Sequence, residues 1–174
     1  MKRTVLVVAG VLTALAGAPA ATAEPPNFPD LSNFGVETNS HQTTDEGTSR
    51  VLVKFSTPDG LSCGMGALGG LAPSVRCYGP VPGIEDRTLK IDPNAATPCD
   101  FGVAVVYTAN RGAISSYRGD CPTDLSGGAP LAPGQKVTLG TATCGVVPGG
   151  ITACIDKADG GHGFVLQPAG SWVF

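Results

Sequence analysis

Apolar residues occupy every second position in several short stretches of this chain. In the first clear case, Val51, Val53 and Phe55 alternate with their neighbours, which is the two-residue period of a half-buried strand. Clusters of Gly and Pro that are typical of turns separate the stretches. The further strand candidates are Ser74 to Tyr78, Thr88 to Ile91, Phe101 to Tyr107, Ile114 to Arg118, Val137 to Val146, Ile151 to Ile155, Gly163 to Gln167 and Ser171 to Phe174.

Helical periodicity over about ten residues is not found beyond the first 23 residues. We therefore predict an all-β fold, either a small antiparallel sandwich or an open barrel of short strands. The longest apolar run, Phe101 to Tyr107, is rich in β-branched residues, and the break at Asn110 to Gly112 indicates that it enters a hairpin. Thr57-Pro58-Asp59-Gly60 predicts another turn, because Pro fixes one φ angle and Gly tolerates a positive one.

The stretch around residues 148–150 predicts a hairpin that carries its own cross-link. If Pro-Gly-Gly forms a three-residue turn there, closed by Gly150 in the left-handed conformation, Cys144 lies opposite Cys154. When the flanking pair is hydrogen-bonded, the cysteine pair is a non-hydrogen-bonded one. The two Cβ atoms are then close enough for a disulfide.

All six cysteines follow the first 23 residues, and an even number in an exported chain is typical of a disulfide framework. Six cysteines allow 15 pairings, among which the sequence does not choose. A sequential scheme would staple three hairpins, since the midpoints of its loops, Gly70, Asn110 and Gly149, each fall inside a turn signal. This scheme pairs Cys63 with Cys77, Cys99 with Cys121, and Cys144 with Cys154. Each link would add about 2 to 3 kcal/mol on the chain-entropy model.

Residues Met1 to Ala23 have the composition of an export signal. Two basic residues precede an apolar run of 12 residues, Val5 to Ala16, and Ala21-Thr22-Ala23 matches the small-x-small cleavage rule. A transmembrane helix requires roughly 20 apolar residues, so we predict a signal peptide cleaved after Ala23. The mature protein would then be secreted and extracellular, or associated with the cell wall.

The next segment, Glu24 to Thr48, is rich in Pro and polar residues and shows no periodicity. We interpret it as a mostly unstructured lead segment, followed by the disulfide-stapled β domain at residues 49–174. Its apolar residues Leu31, Phe34 and Val36 leave open the alternative that part of it docks onto the domain.

The charge of the mature part argues against two classes of partner. Nine of the 11 Lys and Arg residues and all 14 Asp and Glu residues follow Ala23, which gives a formal net charge of −5. Without a basic stripe to displace counterions, nucleic acid and anionic membrane surfaces are not expected partners. The 151 residues that follow Ala23 suit a single domain.

A series of short motifs runs from Val51 to the end of the chain. They are Phe55-Ser56-Thr57-Pro58-Asp59-Gly60-Leu61-Ser62-Cys63, Val75-Arg76-Cys77, Gly119-Asp120-Cys121, Ala129-Pro130-Leu131, Thr143-Cys144, Gly150-Ile151-Thr152-Ala153-Cys154, Gly161-His162-Gly163-Phe164 and Val173-Phe174. In combination they resemble a family of small secreted actinobacterial, mycobacterial-type proteins of unknown function with six cysteines and a C-terminal Gly-His-Gly-Phe motif. The resemblance implies export and the disulfide framework, and no chemistry.

His162 comes nearest to a reactive site. It lies between glycines, with Asp156 and Asp159 close in sequence, so the three side chains are candidates for a divalent-cation site or an acid/base pair. The alternative, which we adopt, is that Asp159 and Gly160 form a tight turn and that His162 hydrogen-bonds the backbone to fix the following strand. His41, in the polar lead segment, is interpreted as a solvated residue. We accordingly predict no catalytic residue, cofactor or metal.

Asp100 and Asp120 adjoin Cys99 and Cys121 and would be neighbours if those cysteines pair. Such a pair would resemble the two carboxylates of a glycosidase. Strand alternation equally allows both side chains to point into water, and this is the interpretation we adopt. Trp172 is expected to pack in the core near the chain end, with a ligand surface as the alternative.

These patterns predict a monomer that acts by binding an extracellular or envelope ligand, which is open among a protein, a glycan and a lipid. The first alternative is a secreted hydrolase that uses His162 with a nearby carboxylate. The second is a protease-inhibitor-like domain, in which a rigid loop such as Gly79 to Gly83 contacts the enzyme. An enzyme requires a concave pocket at His162, an inhibitor requires a protruding loop, and a binding domain requires a groove or an apolar patch.

Overall fold

The computed structural model describes residues 24–45, 50–66, 74–84, 89–96, 98–107, 110–120 and 128–174; the predicted signal peptide lies outside them. Strands dominate, as expected from β-branched residues between Gly and Pro turns. They are β1 (Gly35–Val36), β2 (Gln42–Asp45), β3 (Arg50–Ser56), β4 (Ser62–Gly66), β5 (Ser74–Gly79), β6 (Leu89–Ile91), β7 (Pro98–Tyr107), β8 (Asn110–Asp120), β9 (Ala129–Pro130), β10 (Gln135–Leu139), β11 (Ala142–Val147), β12 (Ile151–Asp156), β13 (His162–Leu166) and β14 (Trp172–Val173). Helix α1 (Thr38–His41) and a 3-10 helix (Ala158–Gly160) are short. Within the described ranges, no helix is long and apolar enough to cross a membrane.

The strands form two sheets. Sheet I has the order β1-β10-β11-β12-β13-β14, and sheet II has the order β2-β3-β4-β5-β7-β8-β6, with β9 beside β3. Most neighbours are antiparallel, whereas β1 with β10, β9 with β3 and β6 with β8 run parallel. Side chains of both sheets meet in one hydrophobic core. The all-β prediction is therefore confirmed, and the sandwich describes the molecule better than the open barrel.

The core contains large side chains from both sheets, because inward and outward positions alternate along each strand. Each of the following is no more than 2% exposed: Val53, Phe55, Met65, Val75 and Val106 of sheet II, and Val137, Val146, Phe164 and Leu166 of sheet I. Burial of a side chain of this kind contributes about 1.5 to 3 kcal/mol, so this layer is the main source of stability.

Two disulfides cross-link neighbouring strands inside this core. Cys63 bonds to Cys77 across β4 and β5, and Cys144 bonds to Cys154 across β11 and β12. In each pair the residues are directly opposite and the Cα atoms are 4.1 Å apart, the short spacing of a non-hydrogen-bonded pair. These two links of the sequential scheme are confirmed. Buried disulfides are compatible with an extracellular protein.

Two predicted turns are also confirmed. Val147 pairs with Ile151 across residues 148–150, and Gly150 has a φ angle of +74°, the left-handed conformation that closes the turn. In the turn that follows β3, the backbone N of Gly60 donates to the carbonyl O of Thr57 at 3.0 Å. In both cases the residues of the turn itself were sufficient to predict it from the sequence.

The third predicted disulfide is described only in part. Cys99 is disulfide-bonded, but Cys121 lies outside the described residues, so their pairing stays a prediction. The register of β7 on β8 places Gly119 opposite Cys99. The predicted break at residues 110–112 is wrong, because these residues belong to β8 and Asn110 already pairs with β7.

One predicted strand, residues 137–146, is in fact two. Gly140 and Thr141 form a two-residue turn, and β10 and β11 pair from Leu139 opposite Ala142 outward. Gly140 has a φ angle of +59°, which Gly adopts without a steric penalty. The correction adds a tight hairpin to sheet I.

The prediction of a mostly unstructured lead segment, with order beginning at Ser49, is wrong for the part that the structure describes. β1 extends sheet I beside β10, and β2 pairs with β3 in sheet II. Leu31 is 7% exposed and lies, with Phe34, against Gly145. Gly145 faces away from the core because its two neighbours in β11 are core residues. Residues 24–34, here named the N-terminal strap, therefore cover the outer face of sheet I.

Candidate functional site

A concave site lies at one end of β7 and β8 in sheet II. The register pairs Asp100 with Arg118 and Gly102 with Ser116. Directly opposite residues point to the same side of a sheet, and Ala104, on that side of β7, is a buried core residue. The four positions therefore lie on the inner face of sheet II and form the floor of the site.

Arg118 and Asp100 form a bidentate ion pair on this floor. Nε donates to Oδ1 at 2.6 Å, and Nη2 donates to Oδ2 at 2.8 Å. The two side chains are 52% and 63% exposed, so the pair faces solvent. The hydrogen bonds from Arg118 hold the pKa of the Asp100 carboxyl below its ordinary value of 3.8. Both groups are consequently charged at neutral pH.

The opposite wall is the loop that follows β5, residues 80–84. It lies directly over Gly102, where an added Cβ atom would be 2.5 Å from the Cβ of Val81 and 2.9 Å from the Cδ1 of Ile84. Val81 also packs against the core. The loop is thus directed inward, whereas the inhibitor alternative requires a protruding loop.

The same loop is fastened to sheet I. The hydroxyl of Ser171 donates to the carbonyl O of Pro82 and accepts from the backbone N of Gln167 at 3.0 Å. The backbone N of Ser171 donates to the carbonyl O of Gly83 at 3.3 Å. The turn between β13 and β14 therefore positions the wall, and the site depends on both sheets.

Between floor and wall lies a cleft of about 290 Å³. Pockets for drug-sized ligands occupy about 300 to 1,000 Å³, so the cleft suits a small ligand. Its wall is apolar, and its floor carries a hydroxyl group and the ion pair. The lining residues are Pro80, Val81, Ile84, Asp100, Phe101, Gly102, Ser116, Tyr117 and Arg118.

Phe101 and Tyr117 stabilise the floor from the other face of the sheet. Strand alternation directs their side chains away from Asp100 and Arg118. The ring centroids are 5.6 Å apart and the planes differ by 12°, so the two rings stack on each other. A stacked cross-strand pair favours one register, and this register brings Arg118 to Asp100.

The structure brings together two of the three residues predicted near a reactive site. Asp156 and His162 lie opposite each other in β12 and β13. Asp156 is 2% exposed, and its Oδ1 accepts from the Thr141 hydroxyl at 2.6 Å and from a backbone N–H two residues on at 3.0 Å. The short 3-10 helix Ala158–Gly160 forms the turn predicted at Asp159 and Gly160, and Asp156 stabilises it. The predicted hydrogen bond from His162 to the backbone stays a prediction. Among the described residues no group of three metal-ligating side chains occurs, and the side chain of Asp159 is not among those described.

His41 is buried, which corrects its interpretation as a solvated residue. It is 4% exposed, and its Nδ1 lies 3.3 Å from the carbonyl O of Lys54 in β3. The reason is the position of α1, which contacts β3 of sheet II and β10 of sheet I. Burial of this imidazole follows from the unexpected packing of the lead segment.

Trp172 packs within the molecule at the end of the chain. Its ring centroid is 5.3 Å from that of Phe174, which in turn is 5.6 Å from the ring of Phe28 in the strap. Trp172 is half-buried and pairs with Val165, whose side chain faces the strap rather than the central core. Phe174 therefore joins the chain end to the N-terminal strap, and Trp172 packs against Phe174.

A second concavity, of about 210 Å³, lies between the strap and sheet I. Lys136 Nζ donates to the carbonyl O atoms of Leu31 and Ser32 at 2.7 and 3.0 Å. Lys157 forms an ion pair of 2.8 Å with Glu24. The cationic groups of this groove are thus engaged in holding the strap.

Sequence analysis identified Asp100 and the loop near residues 79–83 but missed Arg118. The hairpin midpoint predicted at Asn110 placed Asp120 near Asp100, whereas the true midpoint is one residue earlier and places Arg118 opposite. A preference for opposite rather than like charges across strands would have selected the correct register. Asp120 and Asp100 are both exposed, which confirms that these carboxylates face water.

Comparison of the chain with protein-family models, with curated proteins and with solved structures gives no match. The geometry and charge of the cleft are therefore the basis for a functional proposal.

Proposed function

We propose that the protein is a secreted or envelope-associated, non-catalytic domain that binds its ligand in the cleft between the Asp100–Arg118 pair and residues 80–84. The observation that carries the proposal is a bidentate ion pair at the surface of a concave site with an apolar wall. Exposed ion pairs contribute little to stability. A small-ligand site usually combines apolar side chains with a few convergent polar groups, and the cleft has both, so we propose ligand binding as the role of the pair.

The hydrolase alternative needs a carboxylic acid that donates a proton. Such a general acid has a raised pKa, whereas Arg118 lowers the pKa of Asp100. Asp156, opposite His162, is only 2% exposed and its Oδ1 accepts from the Thr141 hydroxyl, so its carboxyl group is closed off from a substrate. The described carboxylates near the two predicted sites therefore favour binding over hydrolysis.

Action outside the cytoplasm fits the same proposal. The two described disulfides form and persist in oxidising compartments, and the predicted signal peptide would deliver the chain to one. We propose accordingly that the protein is a monomer without a cofactor and belongs to the small secreted actinobacterial proteins that its motifs resemble.

The proposal is tested by retention of envelope components on the oxidised mature domain, residues 24–174, coupled to a resin. We expect Arg118→Gln to retain at least about tenfold less than the wild type, the effect of losing a hydrogen bond to a charged group. Asp30→Asn is the matched control, because Asp30 is also an exposed carboxylate with a lowered pKa but lies at the strap.

Each other result of this experiment has a defined meaning. Equal retention by the wild type and Arg118→Gln would place the binding site elsewhere, and no retention by any variant would contradict the binding function. Release of a cleaved envelope product by the wild type, with loss of this release in His162→Ala, would favour the hydrolase. Thermal melting of each variant shows whether the fold is intact.

A further inference from the structure

We infer that the ligand of the cleft is a neutral sugar unit that presents two neighbouring hydroxyl groups to the Asp100–Arg118 pair. The inference rests on the proposed function and specifies its ligand class. The two hydrogen bonds of 2.6 and 2.8 Å hold carboxylate and guanidinium in a common plane. A carboxylate has about four lone-pair sites, of which these bonds occupy one on each oxygen. Neighbouring hydroxyls can donate to the remaining sites.

Ser116 extends this polar floor. It lies two residues from Arg118 on the same side of β8 and opposite Gly102. A hydroxyl group both donates and accepts hydrogen bonds. The floor therefore combines the Asp100 carboxylate, which accepts, the Arg118 guanidinium, which is cationic, and the Ser116 hydroxyl, which can donate or accept. A ligand whose own polar groups are hydroxyls matches this combination.

The charges of the floor favour a neutral ligand. Arg118 and Asp100 already neutralise each other, and the lowered pKa of Asp100 keeps the carboxylate charged in the neutral pH range. An anionic ligand would lie beside the Asp100 carboxylate, and a cationic ligand would lie beside the Arg118 guanidinium, so each would meet a like charge. A neutral polyhydroxylated ligand adds no net charge and can donate to the remaining lone-pair sites of Asp100.

The apolar wall distinguishes a sugar from smaller polar molecules. A sugar ring carries its hydroxyls at the edge and C–H groups on its faces, so one side of it is apolar. Pro80, Val81 and Ile84 offer an apolar surface across from the ion pair. The volume of about 290 Å³ is near the lower limit for ligand pockets, which is about 300 Å³, and suits about one or two sugar rings.

The test is a titration of the oxidised mature domain followed by NMR amide shifts. The neutral probes are methyl α-mannopyranoside, methyl α-glucopyranoside and myo-inositol, with the single 2-deoxy form that the two glycosides share and the 3-deoxy form of each. Sodium acetate and inorganic phosphate are the anionic probes. We expect saturable shifts at Gly102, Ser116 and Arg118 with at least one neutral probe. Removal of one neighbouring hydroxyl should weaken binding about tenfold, as expected for a lost hydrogen bond to a charged group.

Two variants locate this binding. Asp100→Asn should weaken it about tenfold, and Asp30→Asn should leave it unchanged. If Asp100→Asn lowers the melting temperature, Ser116→Ala tests the same floor by removing a single hydroxyl, and a severalfold weaker affinity is expected.

The remaining outcomes separate this inference from the function on which it rests. Saturable shifts of the cleft residues with acetate or phosphate would overturn the neutral ligand class. If no sugar binds while envelope components are still retained through Arg118, the sugar is rejected and the binding function stands. If no sugar binds and no envelope component is retained through Arg118, the sugar ligand and the binding function of the cleft are both rejected.

Discussion

Gly102 and Gly83 show how single residues set the shape of the cleft. A Cβ atom at position 102 would lie 2.5 Å from the Cβ of Val81, and one at position 83 would lie 2.6 Å from the carbonyl O of Gln167. Both distances are well below van der Waals contact, so a side chain at either position would displace the loop. The loop contacts both sheets because neither glycine has a side chain.

The Asp100–Arg118 pair gives a prediction that does not require a ligand. Arg118→Gln should raise the pKa of the Asp100 carboxyl towards its ordinary value of 3.8, because the guanidinium hydrogen bonds that favour the carboxylate are lost. The folded protein lowers this pKa. The contribution of the pair to the stability of the fold is therefore fully present above pH 3.8. It is lost as the pH falls through the pKa of Asp100 in the folded protein.

Carbon-detected NMR of the carboxyl groups, from about pH 7 to about pH 2, measures this change directly. Asp30 is an internal reference, since its lowered pKa comes from hydrogen bonds with Ser32 and should be the same in both proteins. An Asp100 pKa that does not differ between wild type and Arg118→Gln would mean that the ion pair is not formed in solution.

Elements built from nearby residues were predictable, and elements built from distant ones were not. The hairpin at residues 148–150 was predicted with its register because its turn and its cross-link lie within one short stretch. The turn at Gly140 was missed, since its Gly-Thr dipeptide interrupts an alternating run without Pro or Asn to mark it. The parallel pairing of β1 with β10 joins residues about a hundred positions apart, and no local pattern encodes it.

The cleft could be predicted only in fragments for the same reason. Its floor is the β7–β8 hairpin, its wall follows β5, and the anchor of the wall is the turn after β13. Sequence patterns identified Asp100 and the wall separately. Their contact depends on a cross-strand register that was misplaced by two residues and on packing between the two sheets, which periodicity does not report.

The anchor of the wall predicts an effect on loop mobility. In Ser171→Ala the loop loses the hydrogen bond from the hydroxyl to the carbonyl O of Pro82, which is worth about 1 kcal/mol. Exchange of the backbone N–H groups of Val81, Gly83 and Ile84 should therefore become about fivefold faster, as expected from that free energy. Hydrogen exchange read by mass spectrometry measures it, with Ser40→Ala, a surface hydroxyl that bonds to Glu37, as the control. Unchanged exchange would show that the Ser171 hydroxyl does not hold the wall.

The N-terminal strap predicts a loss of stability. Leu31→Ala removes a side chain that is 7% exposed and lies against Gly145, so the free energy of unfolding should fall by about 2 to 4 kcal/mol. Urea unfolding of the oxidised mature domain measures this loss. Val36→Ala, at a position that is 61% exposed, should change it by less than about 0.5 kcal/mol. A Leu31→Ala effect as small as that of Val36→Ala would mean that the strap is not part of the folded unit.

On the scale of the whole molecule, the described residues form three layers, which are the strap, sheet I and sheet II. The central core lies between the sheets, and the four cysteines of the two described disulfides belong to it. A chain with 25 glycines among 174 residues loses much backbone entropy on folding, because Gly has the widest conformational freedom in the unfolded state. The disulfides limit that freedom in the unfolded chain while their sulfur atoms fill the core.

Removal of either disulfide should therefore lower the free energy of unfolding by about 3 kcal/mol on the chain-entropy model. The Cys63→Ala/Cys77→Ala and Cys144→Ala/Cys154→Ala variants should be affected to a similar extent, since the links span 14 and 10 residues and the entropy depends only on the logarithm of loop length. Two such losses approach the 5 to 15 kcal/mol that is about the whole stability of an ordinary domain. Urea unfolding of each variant measures the loss.

Wild type reduced in denaturant and returned to buffer is the control, because it lacks the bonds but keeps the sulfur atoms. An equal unfolding midpoint for oxidised and reduced wild type would show that core burial alone specifies this fold.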